Sequence, residues 1–325
     1  MPWRAQDCPA SAPRILVAIA TLAAVVVFNF FLFRTLGDPA KDLIRGRLPP
    51  SVRQAIIHQR GYDQSTLTQF WRYIKGLAHG DLGTSNASEQ PVTHELGNAI
   101  PNTLLLLGLS TVLSMFIGTR LGVLAAWRRG KARDTAIGQG SLALYSMPDF
   151  WLGMIFVAVF AGGLAWLPGG LKSTPGGATS GFDYWRDIGT HLILPTLTLT
   201  LGELGQYVFI TRAAVADVMD SDHVLTARAI GLRPLAVRRR HIVPSARLPI
   251  VTQIALNFGF VLGGAITVEA LFSWPGVGLA TIQAIQNKDF PMLQGLFLVT
   301  SAMVIIANLA ADLLYSRLDP RVRTQ

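Results

Sequence analysis

Between Arg14 and Arg34 the chain runs from Ile15 to Phe33 without a single charge. Coiled as a helix, this run is about 28 Å long, close to the ~30 Å hydrocarbon thickness of a bilayer. It is longer than the apolar core of a signal peptide and reads as a retained span. Comparable runs recur over Thr103–Ala126, Thr135–Gly162, His191–Ala213, Pro249–Ala270 and Gln294–Tyr315. Hydrophobic residues make up 50% of the 325 residues and charged residues 14%; a soluble domain carries about 25% charged residues. The expected fold is all-α, a polytopic membrane protein with six transmembrane helices, because a helix satisfies its own backbone groups in lipid. Pro148 and Pro195 fall inside the third and fourth spans, as kinks that neighbouring helices can cover.

Lys and Arg orient the spans. With the N-terminus inside, segments 1–14, 127–134, 212–248 and 316–325 hold 16 basic residues in 69 positions; the outer segments 34–102, 163–190 and 271–293 hold 11 in 120. Both termini are therefore expected in the cytoplasm. The organisation is then a cytoplasmic N-terminus (1–14), a first transmembrane helix (15–33), an extracytoplasmic loop region with short helices (34–102), and a five-helix core (103–325) that includes a cytoplasmic loop over 214–248. SVRQAIIHQR and LTQFWRYIKGL in the outer loop are both amphipathic. A long loop of this kind is either a lid or docking surface, or a covering layer. The Pro/Gly-rich stretch from Pro168 to Gly181 reads as flexible. The net charge of +9 lies beside the spans, which points to membrane lipid and not to nucleic acid. The lone Cys8 excludes an intrachain disulfide and reads as an incidental thiol.

No catalytic residues and no metal-ligating cluster stand out, and Gly130-Lys131 lacks the flanking residues of a P-loop. The chain is expected not to be an enzyme. Charges within spans are costly, at least about 2.5 kcal/mol for a central one. Arg120 lies near the inner end of the second span, Glu203 near the middle of the fourth and Glu269 close to the end of the fifth. These three are the pathway candidates. Glu203 faces a wet pathway, pairs with Arg120, or is satisfied at a subunit interface.

The segment DHVLTARAIGLRPLAVRRRHIVPSARLP, Asp222 to Pro249, is too polar to cross lipid. Asp222 is placed to cap a helix. Ala227, Ala229 and Gly231 offer a small face, Gly231 can end the helix with positive φ, and Pro234 stops its continuation. Arg238-Arg239-Arg240-His241 face anionic headgroups or an acidic partner. The segment reads either as an ordinary basic inner loop or as a docking element.

This segment resembles the EAA loop of ABC-importer permeases. Thr226-Ala227, Gly231 and His241-Ile242-Val243-Pro244 fill that pattern, with Leu225 where the family has an acidic residue. Asp222 to Leu232, including Arg228 and Ala229, is similar to the peptide-importer form D-[YF]-x-x-T-A-R-A-x-G-L, with His223 in the aromatic place. Gly37-Asp38-Pro39, His79 to Ser85, Pro101 to Leu104, Ser146 to Trp151, His191 to Pro195, Glu269 to Gly278, Gln294-Gly295, Asp312 to Tyr315 and Leu318 to Arg321 match the same subfamily in order. By these motifs the chain is identified as a member of the first-permease group of dipeptide, oligopeptide and nickel importers. Arg120, Glu203 and Phe209 depart from the family's usual proline, apolar and basic residues.

The resemblance implies a type I ABC importer permease fold in a bacterial plasma (inner) membrane. It implies a second permease, two cytoplasmic ATPases that bind ATP and Mg, and an extracytoplasmic binding protein, with no cofactor on this chain. Asp222, Thr226, Ala227, Arg228, Ala229, Gly231, Leu232, His241 and Pro244 are then the ATPase-coupling residues. Asp81, Trp274 and Pro275 are candidates for binding-protein contact. The implied activity is peptide uptake by alternating access, with nickel, glutathione-like and other small solutes still open. A self-sufficient secondary transporter is the alternative from another class; it would show an inverted repeat and several intramembrane ionisable residues.

Overall fold

A computed structural model describes residues 11–36, 63–246 and 266–318, together with Pro49, Ser51, Gln54, Ala55, Ile57 and His58. In chain order the helices are α1 (Ser11–Leu36), α2 (Thr66–Ala78), α3 (Val92–Trp127), α4 (Ala132–Ser146), α5 (Asp149–Phe156), α6 (Gly181–Met219), α7 (Asp222–Ala229), α8 (Pro234–Val237), α9 (Ile266–Leu271), α10 (Val277–Gln286) and α11 (Phe290–Leu318). A π-helical stretch, Val157–Gly163, continues α5, and another, Arg238–Ile242, continues α8. Among the described residues, four helices are long and apolar enough to cross a membrane, within α1, α3, α6 and α11. The pair α4 and α5 raises this to five if counted as one span. Most of the expected span Pro249–Ala270 lies outside the described residues, and so does half of the SVRQAIIHQR segment.

The expected third span is not a kinked rod. It bends by 98° between its two halves. Met147 is extended, at φ −82° and ψ 134°, the conformation that a following proline imposes. Pro148 then starts a new helix as its N-cap residue. Pro195, in contrast, sits buried within an unbroken α6. The long helices also overrun their apolar runs: α3 starts at Val92, where Thr103 was expected, and α6 at Gly181, where His191 was expected.

The chain divides into two compact units, residues 1–101 with 280–306, and residues 102–279 with 307–325. In the first, LTQFWRYIKGL forms α2 as the amphipathic pattern predicts. Phe70 and Tyr73 of α2 pack on Phe30 of α1, with ring centroids 5.2 and 5.5 Å apart. The Asn29 amide, buried within α1, donates to the Gln294 carbonyl at 3.0 Å and to the Tyr73 hydroxyl at 3.3 Å. Burial pushes the Tyr73 hydroxyl above its ordinary pKa, so it stays a neutral partner. Asp289 caps α11: its carboxylate accepts the Met292 N–H at 3.1 Å and also holds Ser85 and Ala87. Gly295 leaves room for Val92, since a Cβ there would stand 2.5 Å from Val92 Cγ1.

In the second unit α3 and α6 cross closely. A Cβ on Gly118 would lie 2.6 Å from that of Tyr207, and one on Gly122 would lie 2.6 Å from that of Thr211. Two glycines four residues apart let helix backbones approach in lipid, where packing and hydrogen bonds drive association. Ser114 on the same face donates to the Thr200 carbonyl at 3.0 Å. One apolar core gathers Leu106, Leu194, Val268, Phe272 and Trp274; another gathers Val215, Val224, Ala227, Val237 and Ile242 beside the basic loop. The Pro/Gly-rich stretch expected to be flexible is tied down. Leu171 N–H donates to the Phe272 carbonyl at 2.7 Å, and Thr174 donates through both its backbone N–H and its hydroxyl to Asp187.

Candidate functional site

The basic loop forms a small folded element. α7 begins after Ser221, its N-cap residue, and Asp222 stands one place further on, inside the first turn. At its far end Leu232 N–H reaches the Ala227 carbonyl at 3.3 Å and Gly231 N–H reaches that of Arg228 at 3.0 Å. Together with φ +81° at Gly231, this is a Schellman C-cap. Thr226 donates back to the Asp222 carbonyl at 2.9 Å. The expected small face divides. Ala227 is 3% exposed and packs on the loop's own core, while Ala229 points outward. The outward surface carries Leu225, Arg228, Ile230 (71% exposed) and Leu235. His241 is half-buried and Pro244 exposed, with Ile242 between them fully buried. A cavity of about 460 Å³ opens beside α7, lined by Arg128, Lys131, Arg228, Leu232 and Pro234 among others.

Sequence reasoning missed the clamp that carries this loop. Arg212, near the end of α6, grips Asp134 at the start of α4 with two donors, at 2.6 and 2.9 Å. Asp134 also accepts the Gly130 N–H at 3.0 Å. A paired, planar guanidinium–carboxylate contact fixes geometry as well as charge. Asp134 directly follows the basic WRRGKAR run, and that sign reversal was the available signal.

The three pathway candidates separate. Glu269 is fully buried and fully engaged. Its carboxylate accepts the Thr103 hydroxyl at 2.7 Å, Gly278 N–H at 2.7 Å and Leu279 N–H at 3.3 Å. Thr103 in turn accepts Val277 N–H at 2.8 Å, so the first three amides of α10 all end on these two side chains. Negative charge at a helix N-terminus is favourable. Glu269 is therefore occupied with holding a corner of the fold. Arg120 and Glu203 form no ion pair. Gly118 and Gly122 face α6, which turns Arg120, between them, to the other side of α3. There its guanidinium lies 3.7 Å from the centroid of the Phe116 ring. Glu203 instead faces Thr111, whose hydroxyl approaches to 3.5 Å. Asp149 closes on the backbone of α6 at Gly202, whose missing side chain makes the room, one residue before Glu203.

The outer candidates also divide. Trp274 is 0% exposed, and its indole N–H donates to the Asn102 carbonyl at 3.0 Å. It belongs to the core and offers no surface to a partner. Pro275 is exposed beside it, and its carbonyl accepts the Asn102 amide at 2.8 Å. Asp81 lines a separate cavity of the first unit and accepts Gly83 N–H at 2.8 Å. Among the described residues, no group of three or more His, Cys, Asp or Glu side chains is placed to hold a metal.

Residues 118–324 match the family described as binding-protein-dependent transport system inner membrane component. The chain is 36% identical over 311 residues to the glutathione transport system permease protein GsiC of Escherichia coli O6:H1, covering 95% of this chain and 97% of that protein. The protein of the same name from Salmonella paratyphi A is 35% identical over the same length. Among solved structures, the chain is similar to a subunit of the MetNI methionine ABC transporter in an inward-facing conformation. That match has a TM-score of 0.56 at 15% identity and covers 69% of this chain and 96% of that one. The all-helical fold, the long apolar helices and these matches lead to one conclusion: the chain belongs to the family of binding-protein-dependent transport system inner membrane components, as a multi-pass, non-catalytic permease subunit of the ABC importer type.

Proposed function

We propose that this permease imports small peptides, glutathione-like ones first among them, by ATP-driven alternating access. It works with a second permease, two cytoplasmic ATPases and an extracytoplasmic binding protein. The observation that carries the substrate class is the 36% identity to a glutathione permease, spread over 95% of the chain. In this reading Pro249–Ala270 is the fifth of six spans and both termini are cytoplasmic. The ATPases grip the outward surface of α7, with Leu225, Arg228, Ala229 and Ile230 in contact. Leu232, His241 and Pro244 hold the loop behind it, and the Schellman cap makes α7 a rigid lever. Glu203 and Asp149 line the pathway, where their negative charge favours a peptide's ammonium group. Asp81 and Pro275 meet the binding protein, and Trp274 props that surface from within.

The test is reconstitution of the whole complex in proteoliposomes with ATP and the binding protein. Labelled glutathione is expected to enter only with ATP, and short peptides are expected to compete. Uptake of nickel but not peptide, or uptake by this chain without ATP, overturns the reading. For the lever, Gly231→Trp is the informative variant. A Cβ at Gly231 meets nothing within 4 Å, so the strain comes from its positive φ, costing about 1–2 kcal/mol. Substrate-stimulated ATPase activity is expected to fall, because a strained cap no longer holds α7 as a rigid lever. Normal stimulation would remove α7 from the coupling route.

A further inference from the structure

The first unit holds a cavity of about 460 Å³, of whose lining only Asp81 has a transport role above. Phe33 and Arg34 of α1, Arg72 and Tyr73 of α2, and Phe290 and Gln294 at the start of α11 line it. Its position relative to a bilayer follows from α1 alone. The apolar span runs from Arg14 to Thr35, about 33 Å of helix against ~30 Å of hydrocarbon. Arg34 therefore stands at headgroup depth, whichever leaflet that is. α2 fits the same depth. One side of it packs Phe70 and Tyr73 onto α1, while Leu67 and Trp71, one turn apart, are 66% and 62% exposed. A short amphipathic helix with an outward Trp and basic neighbours is the form that lies in a membrane interface.

Chemistry narrows the occupant. Among the described residues, two guanidiniums and one carboxylate, Asp81, line the cavity. Part of the Asp81 charge is taken up by the Gly83 N–H it accepts at 2.8 Å. Arg72 also donates to Gln64 at 2.9 Å, which holds it in place along α2. Charge-assisted hydrogen bonds from cationic side chains to phosphate oxygens are strong, and the phenyl rings of Phe33 and Phe290 offer an apolar wall to the start of an acyl chain. We infer that this cavity binds the phosphate headgroup of a membrane phospholipid, with Arg34 and Arg72 on the phosphate and α2 lying on the leaflet as its cover.

The experiment uses the whole complex, purified in detergent after reconstitution in vesicles of phosphatidylethanolamine and phosphatidylglycerol. Native mass spectrometry counts the phospholipid retained on this chain. R34Q/R72Q is expected to lower retention about tenfold, as lost charge-assisted contacts would. R34K/R72K, which keeps the charge, is expected to retain most of it and controls for misfolding. Trp71→Phe is expected to remove a component of the fluorescence that brominated-chain phosphatidylglycerol quenches. Equal lipid retention in wild type and R34Q/R72Q overturns the inference. So does displacement of the lipid by inorganic phosphate at millimolar concentration, which would make a free anion the occupant. Loss of retention in R34K/R72K as severe as in R34Q/R72Q overturns it as well, because the site would then answer to packing and not to charge.

Discussion

Glu203 and Glu269 look alike in sequence, each an acid set in an apolar run, yet their surroundings give them opposite roles. Glu269 accepts three hydrogen bonds in a fully buried corner. Glu269→Ala would leave those donors buried without partners and is expected to destabilise the chain by about 3 kcal/mol. Glu269→Gln keeps an acceptor and should lose less. Thermal aggregation followed by size-exclusion fluorescence reads both. Glu203 has one weak donor and a carboxylate neighbour. Glu203→Gln is therefore expected to spare folding and to raise the KM for peptides with a free amino terminus. Unchanged transport and assembly would take it off the pathway. The sequence marks both residues as unusual but cannot separate them, because the contacts that decide come from elsewhere in the chain: Thr103, Gly278 and Leu279 for one, Asp149 and Thr111 for the other.

Helix α3 seats on α6 through Gly118 and Gly122. Gly122→Val drives a branched side chain into Thr211 and the Val208 carbonyl. Such overpacking is expected to cost about 2 kcal/mol. Gly138, in α4, has nothing within 4 Å of a Cβ, and Gly138→Ala is expected to be neutral or to gain up to about 1 kcal/mol from helix propensity. Heat stability of the two purified variants compares these directly. At this scale the sequence reads well where one period dominates: the amphipathic LTQFWRYIKGL becomes α2, and Gly231 ends α7 with positive φ. It reads less well at proline. Pro195 is buried among neighbours that keep α6 whole, while Pro148 is exposed and preceded by an extended Met147. The ring chemistry is the same at both; packing decides between a kink and a break. Helix lengths were underestimated for a related reason, since α3 and α6 continue past their apolar runs into polar turns.

For the molecule as a whole, reporter fusions test the proposed topology. Green fluorescent protein at the C-terminus or after Arg133 is expected to fluoresce, and alkaline phosphatase inserted after Ala178 is expected to be active. The opposite pattern would invert the chain. The bend between α4 and α5 adds a consequence in time. Each arm, 132–146 and 149–163, is fifteen residues, about 22 Å of helix and too short for ~30 Å of hydrocarbon. Both arms rest on α6: Ser141 and Tyr145 at Gly205, Asp149 at Gly202. During synthesis this stretch leaves the ribosome before the helix that shelters it exists. The insertion machinery must therefore hold residues 132–163 back from lipid until Gly181–Met219 has followed. Biogenesis then has a built-in pause, in which residues 132–163 of a chain halted before α6 has emerged are open to a water-soluble labelling reagent, and those of a chain halted well beyond residue 219 are not.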